Sequence, residues 1–313
     1  MRKLKKVFCF LSCGCAGVLL LSVLLISCLS LIPFVPRDYT KKTATGGPIE
    51  AHYLAMGAHG VKSLSVAVDE PAKKITCFYP EELPQETRRW PVVVFVNGTG
   101  VMPAKYDTLF KHLASWGFIV IGNDDPGTWS GKSADSTLEW LLQENDRVDS
   151  IFHDKVNTGR IGISGHSQGG VGVFNAVSIQ SHKGLYKAAV ALSPTNEEIA
   201  AKLQMPYDVT KVEIPMLMVS GTVGDFETKF VIPQDKMQKM YSRLTVPKAM
   251  MRRKNCDHGQ SLYSADGYVT AWFLWHLKDD GEAAKSFTGE HPELLENKLY
   301  IDQKIVVHQF LNR

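Results

Sequence analysis

Cysteine is scarce in most of this sequence. Four of the six cysteines lie within the first 28 residues, which leaves only Cys77 and Cys256 for the rest of the chain. Two cysteines cannot form a disulfide framework, and no group of cysteines and histidines has the spacing of a zinc site. The sequence therefore predicts no structural metal, and it leaves open whether Cys77 and Cys256 form a bridge.

A strong charge of either sign is also missing. The 35 lysines and arginines are balanced by 32 aspartates and glutamates, so the formal net charge is only +3. The chain has no long basic block, and no patch in which aromatic and basic residues alternate. We therefore do not expect this protein to bind nucleic acid.

Internal repeats are absent as well, and the length indicates one large domain with appendages. A chain of 313 residues, 44% of them hydrophobic, can bury a substantial core in a single α/β domain. We expect an amino-terminal segment at residues 1–36 and a linker at 37–50. The main domain is expected at 51–280, followed by a carboxy-terminal extension at 281–313 to which the sequence assigns no role.

The amino-terminal segment has the pattern of a membrane anchor. Four basic residues among the first six precede a nearly uncharged run from Val7 to Val35. That run is longer than the ~20 residues that cross a bilayer and longer than the apolar part of a cleaved signal. A single-pass anchor with the domain outside the cytoplasm is favoured. The alternatives are a lipoprotein, because Leu25-Ile26-Ser27-Cys28 resembles a lipobox, and a secreted protein.

From residue 51 onward, strand patterns alternate with helical patterns. Continuous apolar runs such as Pro91–Val96 are typical of central strands that are covered on both faces. The alternation predicts an α/β fold with a mostly parallel central sheet and helices on both faces. The predicted strands are Val61–Ala67, Ile75–Tyr79, Pro91–Val96, Phe118–Ile121, a run ending at Ile163, Ala188–Leu192, Met216–Val219 and Lys248–Met251. The predicted helices include Tyr106–Trp116, Thr137–Asn145 with Ser136 as its cap, and Val269–Leu277.

One stretch combines a strand, a sharp turn and a helix. Gly165-His166-Ser167-Gln168-Gly169 follows the strand that ends at Ile163 and precedes the helical run from Val171 to Val177. The two glycines allow the helix to pack closely on the strand, which holds the serine in a strained and accessible turn. The alternative is an ordinary glycine-rich turn. This context makes Ser167 a candidate nucleophile.

A serine hydroxyl needs a base that accepts its proton and an acid that orients the base. In folds with this turn, the acid and then the histidine follow the serine along the chain. Asp225 comes soon after the Met216–Val219 strand and is the predicted acid, with Glu227 as its main alternative. His258 lies in a polar loop after the last predicted strand and is the predicted base.

Two further groups of residues complete the predicted site. The backbone N–H groups of Gln168 and Thr99 are candidates for an oxyanion hole, because one follows the nucleophile and the other lies in an early glycine-rich loop. Trp129 and Phe226 are candidates for the wall of a substrate pocket. The chain between Ser193 and Ile214 is too short for a large helical lid, so we expect an open cleft.

These motifs resemble those of a known superfamily. The region from Pro91 to Leu277 is similar to the α/β-hydrolases grouped around chlorophyllases, platelet-activating-factor acetylhydrolases and cutinase-like polyester hydrolases. The resemblance is carried by Val96-Asn97-Gly98-Thr99-Gly100, Gly122-Asn123-Asp124-Asp125-Pro126, Gly165-His166-Ser167-Gln168-Gly169-Gly170 and Asp257-His258-Gly259. It implies hydrolysis of carboxylic esters through an acyl-enzyme, without a cofactor. The expected open cleft favours small or surface-presented ester substrates. Polyester hydrolases often carry an aromatic residue and a tryptophan where Thr99 and His166 stand, which argues against a polymer substrate.

Two other functions remain open from the sequence. The same three residues can transfer an acyl group to an acceptor other than water, or cleave an amide. A hydrolase fold can also serve as a non-catalytic binding or adhesion protein, although such proteins usually lose a member of the triad. Retention of Ser167, an acid candidate and His258 favours an enzyme.

Overall fold

The computed structural model describes residues 34–307. The predicted membrane segment from Val7 to Val35 therefore lies almost wholly outside the described residues, as does the lipoprotein candidate Cys28. Among residues 34–307, no helix is both long and apolar enough to span a bilayer.

A nine-stranded sheet forms the centre of the described chain, with strands in the spatial order β1-β2-β4-β3-β5-β6-β7-β8-β9. Strands β3 to β8 run parallel to one another, while β1, β2 and β9 pair antiparallel at the two edges. The prediction of a mostly parallel sheet is confirmed. The strands are β1 (Val61–Ala67), β2 (Lys74–Pro80), β3 (Trp90–Val96), β4 (Ile119–Asn123), β5 (Val156–His166), β6 (Tyr186–Leu192), β7 (Met216–Ser220), β8 (Lys248–Arg253) and β9 (Tyr300–Val306).

Helices cover both faces of this sheet. Successive side chains of a strand point to opposite faces, so Val92 and Val94 of β3 join one apolar cluster while Val93 and Phe95 join the other. This explains why the central strands are apolar throughout. The helices are α1 (Tyr39–Lys42), α2 (Pro48–Leu54), α3 (Asp107–Ser115), α4 (Lys132–Asp146), α5 (Gln168–Ile179), α6 (Glu197–Lys202), α7 (Gln234–Arg243), α8 (Asp266–Lys278), α9 (Gly281–Ala284) and α10 (Glu293–Glu296).

The start of α4 differs from the sequence expectation. The helix begins at Lys132, after Gly131 in a left-handed conformation with φ of 75°, and not after Ser136. The Ser136 hydroxyl instead donates to the carbonyl of Lys132, 3.1 Å away and one turn earlier. Ser136 is therefore an interior helix residue, because the short 3₁₀ turn at Thr128–Ser130 already brings the chain to the helix start.

The two segments that flank the predicted main domain both contribute to the fold. In the predicted linker, Tyr39 of α1 is buried, and in the predicted extension β9 pairs with β8 at the sheet edge. The two remaining cysteines are not bridged: Cys77 and Cys256 are both free. Cys77 is fully enclosed on β2, and burial raises the pKa of its thiol.

A buried polar cluster of Tyr39, His112 and Asp266 links the amino-terminal part of the domain to helices α3 and α8. The Tyr39 hydroxyl donates to Asp266 Oδ2 at 2.5 Å, and the same oxygen lies 2.6 Å from His112 Nδ1. The other ring nitrogen of His112 lies 2.9 Å from the carbonyl oxygen of Ala55, which can only accept a hydrogen bond. Both nitrogens of His112 thus face acceptors, an arrangement that favours the imidazolium.

The pKa of His112 reflects this competition. Burial lowers the pKa, but the charge of Asp266 and the hydrogen bonds to Asp266 and to the backbone raise it above the ordinary value of histidine. A raised pKa in the folded state contributes stability that is complete below the unfolded pKa and disappears as the pH rises through the folded value.

We therefore predict that His112→Asn destabilises the protein more at about pH 5.5 than at about pH 8.5, because only the charged imidazole gains the full attraction of Asp266. Urea unfolding of both proteins at the two pH values measures the difference. A free-energy difference that does not change with pH would contradict the ion pair.

Candidate active site

Ser167 lies in a strained turn between β5 and α5. Its backbone has φ of 59° and ψ of −120°, a conformation that residues other than glycine seldom adopt. A Cβ atom on Gly165 would come within 2.4 Å of the Gly169 carbonyl oxygen, and one on Gly169 within 2.0 Å of the Val96 carbonyl oxygen. The turn thus requires both glycines, and it presents a partly exposed serine at the carboxyl edge of the sheet.

His258 lies beside this turn. His166, the residue before Ser167, packs its ring against the ring of His258 with the centroids 4.6 Å apart. The Nε2 atom of His166 is also 2.9 Å from the carbonyl oxygen of His258. The structure therefore brings the predicted base into contact with the residue before the predicted nucleophile, although the two are far apart in the sequence.

The carboxylate that contacts His258 belongs to Glu227. Its Oε2 atom is 2.7 Å from His258 Nδ1, and its side chain is fully buried. Glu227 lies in a π-helical turn, Phe226–Val231, that follows β7. Such turns are rare and occur often at functional sites.

The structure does not bring Asp225 to His258, and that expectation is corrected. The side chain of Asp225 is 81% exposed and pairs with Lys229 at 2.9 Å, one helical turn later. The left-handed conformation of Gly224 leads into the π-helical turn, so that Asp225 faces solvent while Glu227 faces inward. Glu227, the alternative acid candidate, makes the contact with His258 that is predicted for Asp225.

Two hydrogen bonds hold the Glu227 carboxylate in addition to its contact with His258. Oε1 accepts from the Ser193 hydroxyl at 2.6 Å and from the backbone N–H of Gly221 at 2.7 Å. Ser193 in turn lies 2.5 Å from the hydroxyl of Ser261. Burial raises the pKa of Glu227, but the hydrogen bonds from His258 and Ser193 outweigh it and leave the pKa below its ordinary value. Glu227 is therefore a carboxylate at neutral pH.

The backbone groups predicted for an oxyanion hole lie at two adjacent places. Gln168 is the first residue of α5, where the N–H groups of the first turn have no partners within the helix. Thr99 is exposed in the loop after β3. The neighbouring Gly98 N–H donates to the Tyr106 hydroxyl at 3.1 Å, and the Thr99 N–H remains the predicted donor of that loop.

Apolar side chains line two sides of this region. Phe226 is 56% exposed, meets the His258 ring edge-on with centroids 5.0 Å apart, and stacks on Phe230. Trp129 packs on a small cluster that includes Met205, and the Met205 sulfur accepts from the Gln168 side chain at 3.4 Å. Both predicted wall residues thus lie close to the elements that carry Ser167 and His258.

Sequence reasoning assigned no role to His166, Ser193 or Ser261. Each is a buried polar side chain, and Ser193 directly follows β6 in a left-handed conformation with φ of 41°. Polar residues that directly follow parallel strands at the carboxyl edge are the signal that could have identified Ser193. In residues 34–307, no group of three or more histidine, cysteine or acidic side chains is placed to hold a metal ion.

Comparisons with known proteins match this region of the chain. A family model described as Chlorophyllase matches residues 51–251. Chlorophyllase-1, chloroplastic, of Citrus unshiu is 31% identical over 121 residues, which are 36% of this chain and 34% of the relative. The same protein of Citrus sinensis is 31% identical over 113 residues, which are 33% of this chain and 32% of the relative. These matches thus span about a third of the length of each curated relative.

Proposed function

The chain belongs to the chlorophyllase family within the α/β-hydrolase superfamily, and we propose that it is a serine hydrolase of carboxylic esters. In this proposal Ser167 is the nucleophile, His258 the general base and Glu227 the acid that orients it. The observation that supports it most is the 2.7 Å contact of the buried Glu227 carboxylate with His258, whose ring packs against the residue before Ser167. No cofactor takes part in the proposed reaction.

The first half of the reaction forms an acyl-enzyme. Ser167 Oγ attacks the ester carbonyl carbon while His258 Nε2 takes the hydroxyl proton, so that the carbonyl oxygen becomes an oxyanion. The backbone N–H groups of Gln168 and Thr99 are the proposed donors to that oxygen. His258 then gives its proton to the alkoxide oxygen as the C–O bond breaks, and the alcohol leaves.

The second half of the reaction repeats these steps with water. His258 removes a proton from a water molecule, whose oxygen attacks the acyl carbon, and then returns a proton to Ser167 as the acid product leaves. Glu227 holds the Nδ1 hydrogen of His258 throughout, which exposes Nε2 as the base and stabilises the transient imidazolium. The carboxylate remains charged because its pKa is below its ordinary value.

The surroundings of the site favour an ester with an apolar group. Phe226 and Trp129 offer aromatic surface near the proposed nucleophile and base. The segment between β6 and β7 contains two short helices, the six-residue α6 and a 3₁₀ turn at Val209–Lys211. An open, partly apolar cleft admits bulky or surface-presented esters. We propose this class of substrate for the chain, with Phe226 and Trp129 as substrate contacts.

We further propose that the domain acts outside the cytoplasm, anchored through the basic and apolar amino-terminal run. In that case the protein sediments with membranes, and protease added to intact cells degrades the domain. Protection of the domain in cells whose surface proteins are digested would contradict this location.

The nucleophile can be tested with Ser167→Ala, which should abolish hydrolysis of 4-nitrophenyl acetate. Loss of the nucleophile costs on the order of a millionfold in turnover in a serine protease. Labelling by a fluorophosphonate should disappear as well. Ser65→Ala, on the exposed strand β1, is the matched control and should retain both properties. Normal hydrolysis by folded Ser167→Ala would refute the proposed function.

The acid can be identified by comparing Glu227→Gln with Asp225→Asn. Glu227→Gln should lower turnover by about 10⁴-fold, because the amide no longer fixes the required tautomer of His258. The turnover of Asp225→Asn should remain within about twofold of the wild type. The Asp225 side chain is exposed to solvent, so its charge changes the activation free energy of the reaction little. Equal losses in the two variants, or a larger loss in Asp225→Asn, would assign the acid differently.

A further inference from the structure

His166 makes a contact with the main chain of the proposed base. Its side chain is 3% exposed, and its Nε2 atom lies 2.9 Å from the carbonyl oxygen of His258. A carbonyl oxygen only accepts hydrogen bonds, so Nε2 of His166 must carry the hydrogen. His166 therefore donates to the residue that carries the proposed base.

The ring of His166 is neutral while it makes this bond. Burial, together with the neighbouring ring of His258, lowers the pKa of His166 to about 3. Its single ring hydrogen is thus on Nε2, and Nδ1 is left without one, facing Gly98 of the early loop. Neutrality matters here, because a charged His166 would repel the imidazolium that forms on His258 only 4.6 Å away.

The carbonyl oxygen of His258 has a second donor. The Ser261 hydroxyl donates to it at 2.8 Å and also lies 2.5 Å from the Ser193 hydroxyl. Ser193 in turn donates to the Glu227 carboxylate. The backbone of His258 is therefore held from two sides, by His166 and by a serine that contacts the support of Glu227.

We propose that His166 is a positioning residue for the reaction: its neutral Nε2–H group fixes the backbone of His258 and so aligns the base with Ser167 and Glu227. The inference rests on the proposed hydrolase function. The inference gives His166, the residue before the nucleophile, a role that is separate from the shape of the turn.

The test compares three substitutions by turnover of 4-nitrophenyl acetate. His166→Phe keeps an aromatic ring but removes one donor to the His258 carbonyl, which then keeps the Ser261 hydroxyl and is held from one side. kcat should therefore fall about 10- to 100-fold with KM within about threefold. His166→Gln places an amide nitrogen near the position of Nε2 and should restore kcat to within about threefold of the wild type. His166→Asn, whose shorter amide ends near the position of Nδ1, is the matched control and should be as impaired as His166→Phe.

Proton NMR provides a readout that a purely structural role would not change. The low-field resonance of the His258 Nδ1 hydrogen, shared with Glu227, should persist in His166→Gln and be lost or shifted in His166→Phe. If His166→Phe does not fold, the kcat values of His166→Gln and His166→Asn are sufficient to test the inference. Equal kcat in those two variants, or wild-type kcat in His166→Phe, would overturn the inference.

The same measurements separate this inference from the proposed function. If Ser167→Ala is inactive while every His166 variant has wild-type kcat, the hydrolase proposal holds and the positioning role is wrong. If Ser167→Ala retains full activity, the hydrolase proposal itself is wrong, and the positioning role of His166 is then wrong as well.

Discussion

The close approach of helix α5 to strand β3 is the constraint on which the site depends. Gly169 lies so near the carbonyl of Val96 that no side chain fits between them, and Gly165 lies equally near the backbone of the helix. Between these glycines Ser167 has a positive φ of 59°, a conformation that costs about 1–3 kcal/mol. The packed core on both faces of the sheet holds this strain in place.

Around the elbow, the parallel strands bring distant parts of the sequence to one edge. Ser167 follows β5, Ser193 follows β6, Glu227 follows β7 and His258 follows β8. Neighbouring strands in this series are hydrogen-bonded to each other. The order in space is therefore the order in sequence, and four successive loops supply the serine, the support of the carboxylate, the carboxylate and the base.

The sequence was sufficient to predict strands β1 to β8, together with the turn that contains Ser167 and the loop that contains His258, but it did not indicate the edge strand β9. Apolar strands and the glycine spacing leave few ways to fold this region, and His258 stands in a polar loop after the last parallel strand. The choice between Asp225 and Glu227 depended on a π-helical turn, which hydrophobic periodicity does not indicate. Only that turn directs Asp225 to solvent and Glu227 to His258. The roles of Ser193 and His166 depend on single hydrogen bonds between distant residues, which no local pattern reveals.

The most direct test of the account is to observe the acyl-enzyme. Rapid mixing of the protein with excess 4-nitrophenyl acetate should release a burst of about one equivalent of nitrophenol per active site, provided deacylation is the slower step. Acid quenching followed by mass spectrometry should then find one acetyl group on the peptide that contains Ser167. Steady hydrolysis without any modified serine, or an acetyl group confined to another residue, would contradict the account.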